Sequence, residues 1–361
     1  MAIKHKSNKI TQKEISKYRG QVLDWYDKHG RELPWRYKNG KPANPYHVWL
    51  SEIMCQQTTV QAVIPYYTKF LSTWPTIDDL ANADNDDVMA AWAGLGYYAR
   101  ARNLHKCAKT IAHDMNGNFP DNQAELKDLP GVGDYTSAAI ATIVFNEPAT
   151  VMDGNIERIM SRVFAISDAL PKAKPVFKKH TARFFDGFSA RSGDFAQALM
   201  DIGASICTPK NPKCDACPLQ IGCMARSNGS QETFPIKAKK KPRPHKFGDV
   251  YWITNEKGEV LAHKRPDKGL LAGMLALPTS SWGVKGHNTQ VPEILENLFF
   301  EDKKASISHV FTHFDLTLNL KTSRVNSNLN VTDGYFWTNP EGMENKLPTV
   351  FRKPYVEFML L

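Results

Sequence analysis

Two carboxylates, a phenol and four thiols are the groups in this 361-residue chain whose types and spacing point to chemistry. Glu52 lies in HVWLSEIMCQQTT, with Val48 and Trp49 one turn earlier on an apolar helix. Its carboxyl is placed to face a partly dry site, where desolvation raises its pKa and keeps a proton available. Asp153, in VMDGNIERIM, precedes a helix and reads as an N-cap. Helix amides would keep that carboxylate ionised, as a stabiliser of positive charge must be. The two acids are far apart in sequence, so spacing alone does not bring them together. Tyr135 stands two places past the second glycine of LPGVGDYTSAA, residues 129–139. A phenol of ordinary pKa near 10 donates a hydrogen bond at neutral pH but forms no imine.

Cys207, Cys214, Cys217 and Cys223 make a C-x6-C-x2-C-x5-C run. Four thiolates so close in sequence can wrap one compact centre, and these spacings suit a [4Fe-4S] cube. Zinc, which usually takes two C-x2-C-like pairs across a longer loop, is the alternative, with reduced bystander cysteines a third reading. In LPGVG, Gly131 and Gly133 are expected to turn the backbone with φ > 0, and the amides opening the next helix suit a phosphate. A plain helix–helix turn is the competing reading.

The elements that must position these groups are helical from about 15 to 206. TTVQAVIPYYTKFLSTW places Val60, Val63, Ile64, Tyr67, Phe70, Leu71 and Trp74 at three and four spacings, with Pro65 a site for a kink. Asp84 is placed to cap DNDDVMAAWAGLG, and Phe195 to Ile206 marks another helix. The stretch 235–246, PIKAKKKPRPHK, holds six Lys or Arg and three Pro with no acid, the composition of an extended, solvated linker. Beyond it come β-like runs, a hairpin in DVYWITNEKGEVLAHKR and the alternating FDLTLNL, with VPEILENLFF the expected helix of an α+β domain. Six cysteines without an export signal favour a metal site over disulfides, and no run approaches a membrane span. A net charge of +9 with pI near 9.1 favours a polyanionic partner.

The cysteine run resembles that of the endonuclease III, or helix-hairpin-helix, superfamily. With LPWR at 33–36, WLSEIMCQQT at 49–58, GLGYYARARNL at 94–104, LPGVGDYT and VMDGN, the chain resembles the MutY-type adenine DNA glycosylases. The resemblance implies that Glu52 protonates an extruded adenine as it leaves, and that Asp153 stabilises the oxocarbenium-like sugar, as paired carboxyls do in retaining glycosidases. Tyr135 and Asn155 would help position that chemistry. Gln57 would wedge into the base stack, Tyr97 would intercalate, and Leu129, Gly131 and Gly133 would contact the DNA backbone. Arg31, Trp35 and Gln197 match adenine-pocket positions, and Cys55 stands where the family usually has leucine. The four cysteines would hold a [4Fe-4S] cluster.

AHKRPDKGLLAGMLALP at 262–278 and HVFTHFDL at 309–316 resemble the family's MutT-like, or Nudix-like, C-terminal domain. The resemblance implies that Phe311, Thr312 and His313 recognise 8-oxoguanine; LALP replaces the usual aromatic and acidic pair before the proline. The expected division is a mostly α glycosylase domain at 1–228 with a helix-hairpin-helix and iron-sulfur loop, a basic linker at 229–245 and a Nudix-like α+β domain at 246–361. The expected substrate is double-stranded DNA with adenine opposite 8-oxoguanine or guanine. Base removal would occur without strand cleavage, by a cytoplasmic monomer with no membrane partner. A true Nudix hydrolase would need a glutamate-rich, magnesium-holding helix, and VPEILENLFFEDKK has only scattered acids. A glycosylase-lyase would need an amine nucleophile where Tyr135 stands. A non-enzymatic iron-sulfur DNA binder would need neither acid.

Overall fold

A computed structural model describes residues 10–37, 42–238, 242–266, 268–285, 289–326, 329, 331 and 334–360. The chain divides into two compact units, Met1–Lys239 and Lys240–Leu361. The first is helical. It runs through α1 (Gln12–His29), α2 (Pro45–Cys55), α3 (Val60–Thr73), α4 (Ile77–Asn82), α5 (Asn85–Trp92) and α6 (Ala99–Lys109). There follow α7 (Gln123–Lys127), α8 (Asp134–Phe145), α9 (Gly154–Val163), α10 (Lys174–Phe185), α11 (Ser192–Ser205) and α12 (Met224–Ser227).

The apolar stripe read from the sequence explains α3: Val63, Tyr67 and Phe70 are buried, Thr59 caps the first turn, and the helix continues through Pro65. Full burial of a side chain such as Phe70 contributes about 1.5–3 kcal/mol. Asp84 caps α5, accepting from the Asp86 amide at 2.7 Å. The proline-rich stretch is not solvated from its start. Leu170 donates to the Ile236 carbonyl at 2.8 Å and accepts from the Ala238 amide at 3.3 Å, so the chain stays on the helical unit to that point.

In the second unit, β1 (His245–Thr254), β2 (Val260–Lys264), β3 (Leu275–Ala276), β4 (Gly283–Val284), β5 (Glu301–Val310), β6 (Asp315–Arg324) and β7 (Tyr335–Thr338) form one sheet. Its main path is β3-β2-β1-β6-β5, with β1 and β6 parallel and β5 and β6 an antiparallel hairpin. The hairpin expected at 249–265 and the strand in FDLTLNL are both present. Alternation along β1 sends Val250 to a face shared with Leu316, Leu318 and Leu320, and Tyr251 and Ile253 to the opposite face. α13 (Thr349–Leu360) covers the first face with Val350, Phe351 and Phe358.

VPEILENLFF is not the helix of this unit. Only Glu293–Leu295 forms a 3-10 turn, because Leu295 alone is buried there and β5 takes up the chain from Glu301.

Candidate active site

α2, α8 and α9 converge on one cavity of about 880 Å³ lined by Glu52, Tyr135, Asp153 and Asn155. α2 starts cleanly, with the Asn44 side chain accepting from the amides of Tyr46 and His47 and Pro45 in the first turn. Trp49 is wholly buried on its core side, which turns Glu52 and Cys55 to the cavity.

Burial lifts the Glu52 carboxyl from 4.5 to about 7. Neighbouring Asp153 adds to that rise, while a hydrogen bond from Tyr135 and the charge of Arg36 oppose it. The Tyr135 phenol lies 4.0 Å from Met200 Sδ as well, but a carboxylate is the stronger acceptor. Burial and the two nearby acids push that phenol well above its ordinary value, so it stays a donor.

Asp153 caps α9, its Oδ1 accepting from the Ile156 amide at 2.7 Å and its Oδ2 from Asn155 Nδ2 at 2.9 Å. The cap reading is correct, yet the carboxyl is raised: burial outweighs the hydrogen bonds and the Arg158 charge that pull it down. Asn155 is itself held by Arg158 Nη2 at 2.8 Å, and Arg158 also donates to the Gly203 carbonyl at 2.7 Å and the Cys207 carbonyl at 2.7 Å. One chain of hydrogen bonds thus runs from Asp153 to the cysteine loop.

Arg31, Trp35 and Gln197 line the same cavity. Trp35 is buried and meets Tyr67 edge-on with ring centres 5.0 Å apart. Behind them, Asp201 of α11 is completely buried and takes Arg31 Nε at 2.6 Å and both Arg36 Nη atoms, at 2.6 and 2.8 Å. The charge and hydrogen bonds of those arginines overcome burial and hold Asp201 below its ordinary pKa. Asp201 and Arg36 were not singled out from the sequence, although a lone acid inside the largely apolar run from Phe195 to Ile206 is a signal of a buried partner. Cys55 also faces the cavity; burial and Glu52 push its thiol up to about 12, so it is a neutral, weakly polar wall that does the work of an apolar residue.

Gln57 and Tyr97 both adopt left-handed backbone, with φ of 56° and 50°. Non-glycine residues there carry strain of about 1–3 kcal/mol each, which surrounding structure must hold. Both are exposed, Tyr97 at 55%. In LPGVG, Leu129 is buried and Gly131 has φ of +77°; a Cβ there would lie 2.7 Å from Asn103 Cβ. Gly133 differs from expectation. Its φ is −102°, and it serves as the N-cap of α8 without a side-chain cap, which leaves the first amides of that helix open to an anion.

The four cysteines form no disulfide and surround one small pocket with Arg162, Gln220 and Arg226. Buried Arg162 points Nη1 at Cys207 Sγ, 3.3 Å away, and also bonds the carbonyls of Thr208 and Pro209. A buried cation aimed at a ligand thiol fits an anionic multi-thiolate centre. Four thiols of one short loop around a single pocket, with that cation aimed at one of them, fit the four-thiolate iron-sulfur centre expected from their spacing. When bound, that group supplies a four-point cross-link of the loop.

In the second unit, Phe311, Thr312 and His313 form the β5–β6 turn, closed by the Phe311 amide on the Phe314 carbonyl at 2.9 Å. Phe311 packs on Phe314 and Trp282, and Thr312 and His313 are exposed.

Three family profiles match. The HhH-GPD superfamily of base excision DNA repair proteins covers residues 50–184, the iron-sulfur binding domain of endonuclease III covers 207–220, and the NUDIX domain covers 249–355. The helical unit is similar to a solved thermostable thymine-DNA glycosylase, with a TM-score of 0.53 and 27% identity over 61% of this chain and 99% of that one. The adenine DNA glycosylase of Homo sapiens is 35% identical over 74% of this chain, which spans 58% of that relative's length. The adenine DNA glycosylase of Buchnera aphidicola subsp. Baizongia pistaciae is 36% identical over 89% of this chain and 91% of its own. With its iron-sulfur loop and base-excision core, the chain belongs to the adenine DNA glycosylase family.

Proposed function

We propose that this protein hydrolyses the N-glycosidic bond of adenine opposite 8-oxoguanine or guanine in duplex DNA, as a monomer that leaves the strand intact. The observation that carries this reading is the placement of Glu52, Tyr135 and Asp153 on one cavity, with Glu52 raised to about 7. The protonated Glu52 gives its proton to a purine ring nitrogen while the bond from C1′ to N9 breaks and its electron pair goes to the departing base. Asp153 then faces the positive sugar, water adds its oxygen at C1′ and returns a proton to the Glu52 carboxylate, and adenine and an abasic site result. Tyr135 holds Glu52 by a hydrogen bond and offers no amine, so no imine forms there.

Lys174 also lines the cavity, but it is ion-paired to Glu157 at 3.4 Å and its side chain is 58% exposed. Incubation with duplex DNA bearing adenine opposite 8-oxoguanine, followed by alkali, should reveal strand breaks that are absent without alkali. Borohydride should trap no more of the unsubstituted protein than of Lys174→Ala. Absence of alkali-dependent cleavage, or efficient trapping lost on Lys174→Ala, would overturn the monofunctional reading. The proposed 8-oxoguanine reader is the turn at Phe311, Thr312 and His313, whose aromatic base leaves a hydroxyl and an imidazole free to meet a base edge.

A further inference from the structure

We infer that Arg100 is a positioning residue that holds the two strained loops bearing Gln57 and Tyr97 in one fixed relation, so that both side chains act together when a base is extruded. This rests on the proposed function. Arg100 opens α6, directly after the Tyr97 loop. Its Nη1 donates to the carbonyls of Ile53 at 3.1 Å and Met54 at 3.0 Å in the last turn of α2, where the Ile53 carbonyl also takes the Gln56 amide at 3.4 Å. Its Nη2 donates to Thr58 Oγ1 at 3.1 Å, to the Leu95 carbonyl at 3.0 Å and to the Gly96 carbonyl at 3.3 Å. One guanidinium therefore spans the residues flanking Gln57 on both sides and those just before Tyr97.

The plane also stacks near two rings, Trp92 at 5.2 Å and Tyr97 at 5.6 Å. Trp92 is wholly buried and fixed by its own hydrogen bond to the Gly96 carbonyl at 3.0 Å, so the clamp is anchored in the core. Both left-handed residues lie within three positions of an Arg100 contact. A planar fork with five donors can serve acceptors on two loops at once, whereas a lysine ammonium cannot reach both sets.

The test compares single-turnover adenine release from a fully paired duplex and from the same duplex with mismatches on both sides of the adenine, both retaining 8-oxoguanine opposite. The flanking mismatches lower the cost of unstacking without altering the chemistry. Arg100→Lys should slow release from the paired duplex by about 10-fold or more and recover most of that on the mismatched one. Thr58→Val, which keeps the arginine and removes its contact to the Thr58 hydroxyl together with that hydroxyl's own bond to the Gln56 carbonyl, should show the same pattern at about 2- to 5-fold. Equal losses on both duplexes, or none on either, would overturn the proposal. Gln57→Ala and Tyr97→Ala are run beside them. If those two show the paired-duplex defect and Arg100→Lys does not, the clamp is wrong and the extrusion reading stands. If none shows it, the extrusion reading falls as well, and absence of release by the unsubstituted protein removes the proposed function itself.

Discussion

A carboxyl that titrates near 7 is half protonated at neutral pH, and Glu52 reaches that value chiefly through burial. The same shift sets both rate and stability. The proposed acid must carry its proton, so the single-turnover rate should fall as pH rises through about 7. Below that limb the rate should fall again as Asp153, itself raised, takes up a proton. For stability, the folded chain keeps the Glu52 proton between 4.5 and about 7 while the unfolded chain has lost it. Stability from this group therefore declines as pH rises through that window, and the full cost, on the order of 3 kcal/mol at most for a shift from 4.5 to about 7, is present above it. Glu52→Gln should reduce adenine release by roughly 100-fold or more, yet raise the Tm above pH 7 and leave it nearly unchanged at about pH 4. A variant that keeps full rate, or is less stable than the parent at high pH, would refute the acid assignment.

At the scale of elements, the site depends on how closely α9 approaches α11. Gly203 of α11 lies against Asn155, and an added Cβ would stand 2.4 Å from Asn155 Cβ and 3.0 Å from its Cγ. Gly203→Ala must push Asn155 away from Asp153 and Arg158, whose bonds to it are 2.9 and 2.8 Å. The expected outcome is a loss of about 10-fold or more in the single-turnover rate, with DNA binding changed little. A rate within twofold of the parent would show that Asn155 does not fix the acid. None of this was legible in the sequence, because it depends on which small residue one helix offers another. The same holds for Asp201, whose two arginine partners are 170 and 165 residues away. What was legible had a local cause. The stripe of α3, the caps at Asp84 and Asp153 and the cysteine spacing each follow from neighbouring residues, and the placement of Glu52 with Asp153 came from motif resemblance alone. VPEILENLFF misled because apolar content was read as a helix without a face to bury, and α13 was missed with Pro354 in its interior.

Across the whole molecule the two units carry different burdens. The helical unit contains every group proposed to break the bond, while the sheet unit contributes the exposed turn at 311–313. 8-Oxoguanine differs from guanine at two edges, a carbonyl at C8 and an N7 that has become a donor, so a reader needs a group that can accept from N7 or donate to O8. The Thr312 hydroxyl can do either, and the His313 ring can donate. That turn is braced from beneath by Phe311, Phe314 and Trp282, with centroids 4.7 and 5.9 Å from Phe311, so trimming its tip should leave the sheet intact. Thr312→Val with His313→Ala in the full chain should therefore cut the rate ratio for adenine opposite 8-oxoguanine over adenine opposite guanine by about 10-fold, most of it lost from the 8-oxoguanine substrate. A bare defect in folding or in acid catalysis would slow both substrates alike. Equal slowing, measured under single-turnover conditions with the Tm unchanged, would remove the turn from the recognition of the opposite base.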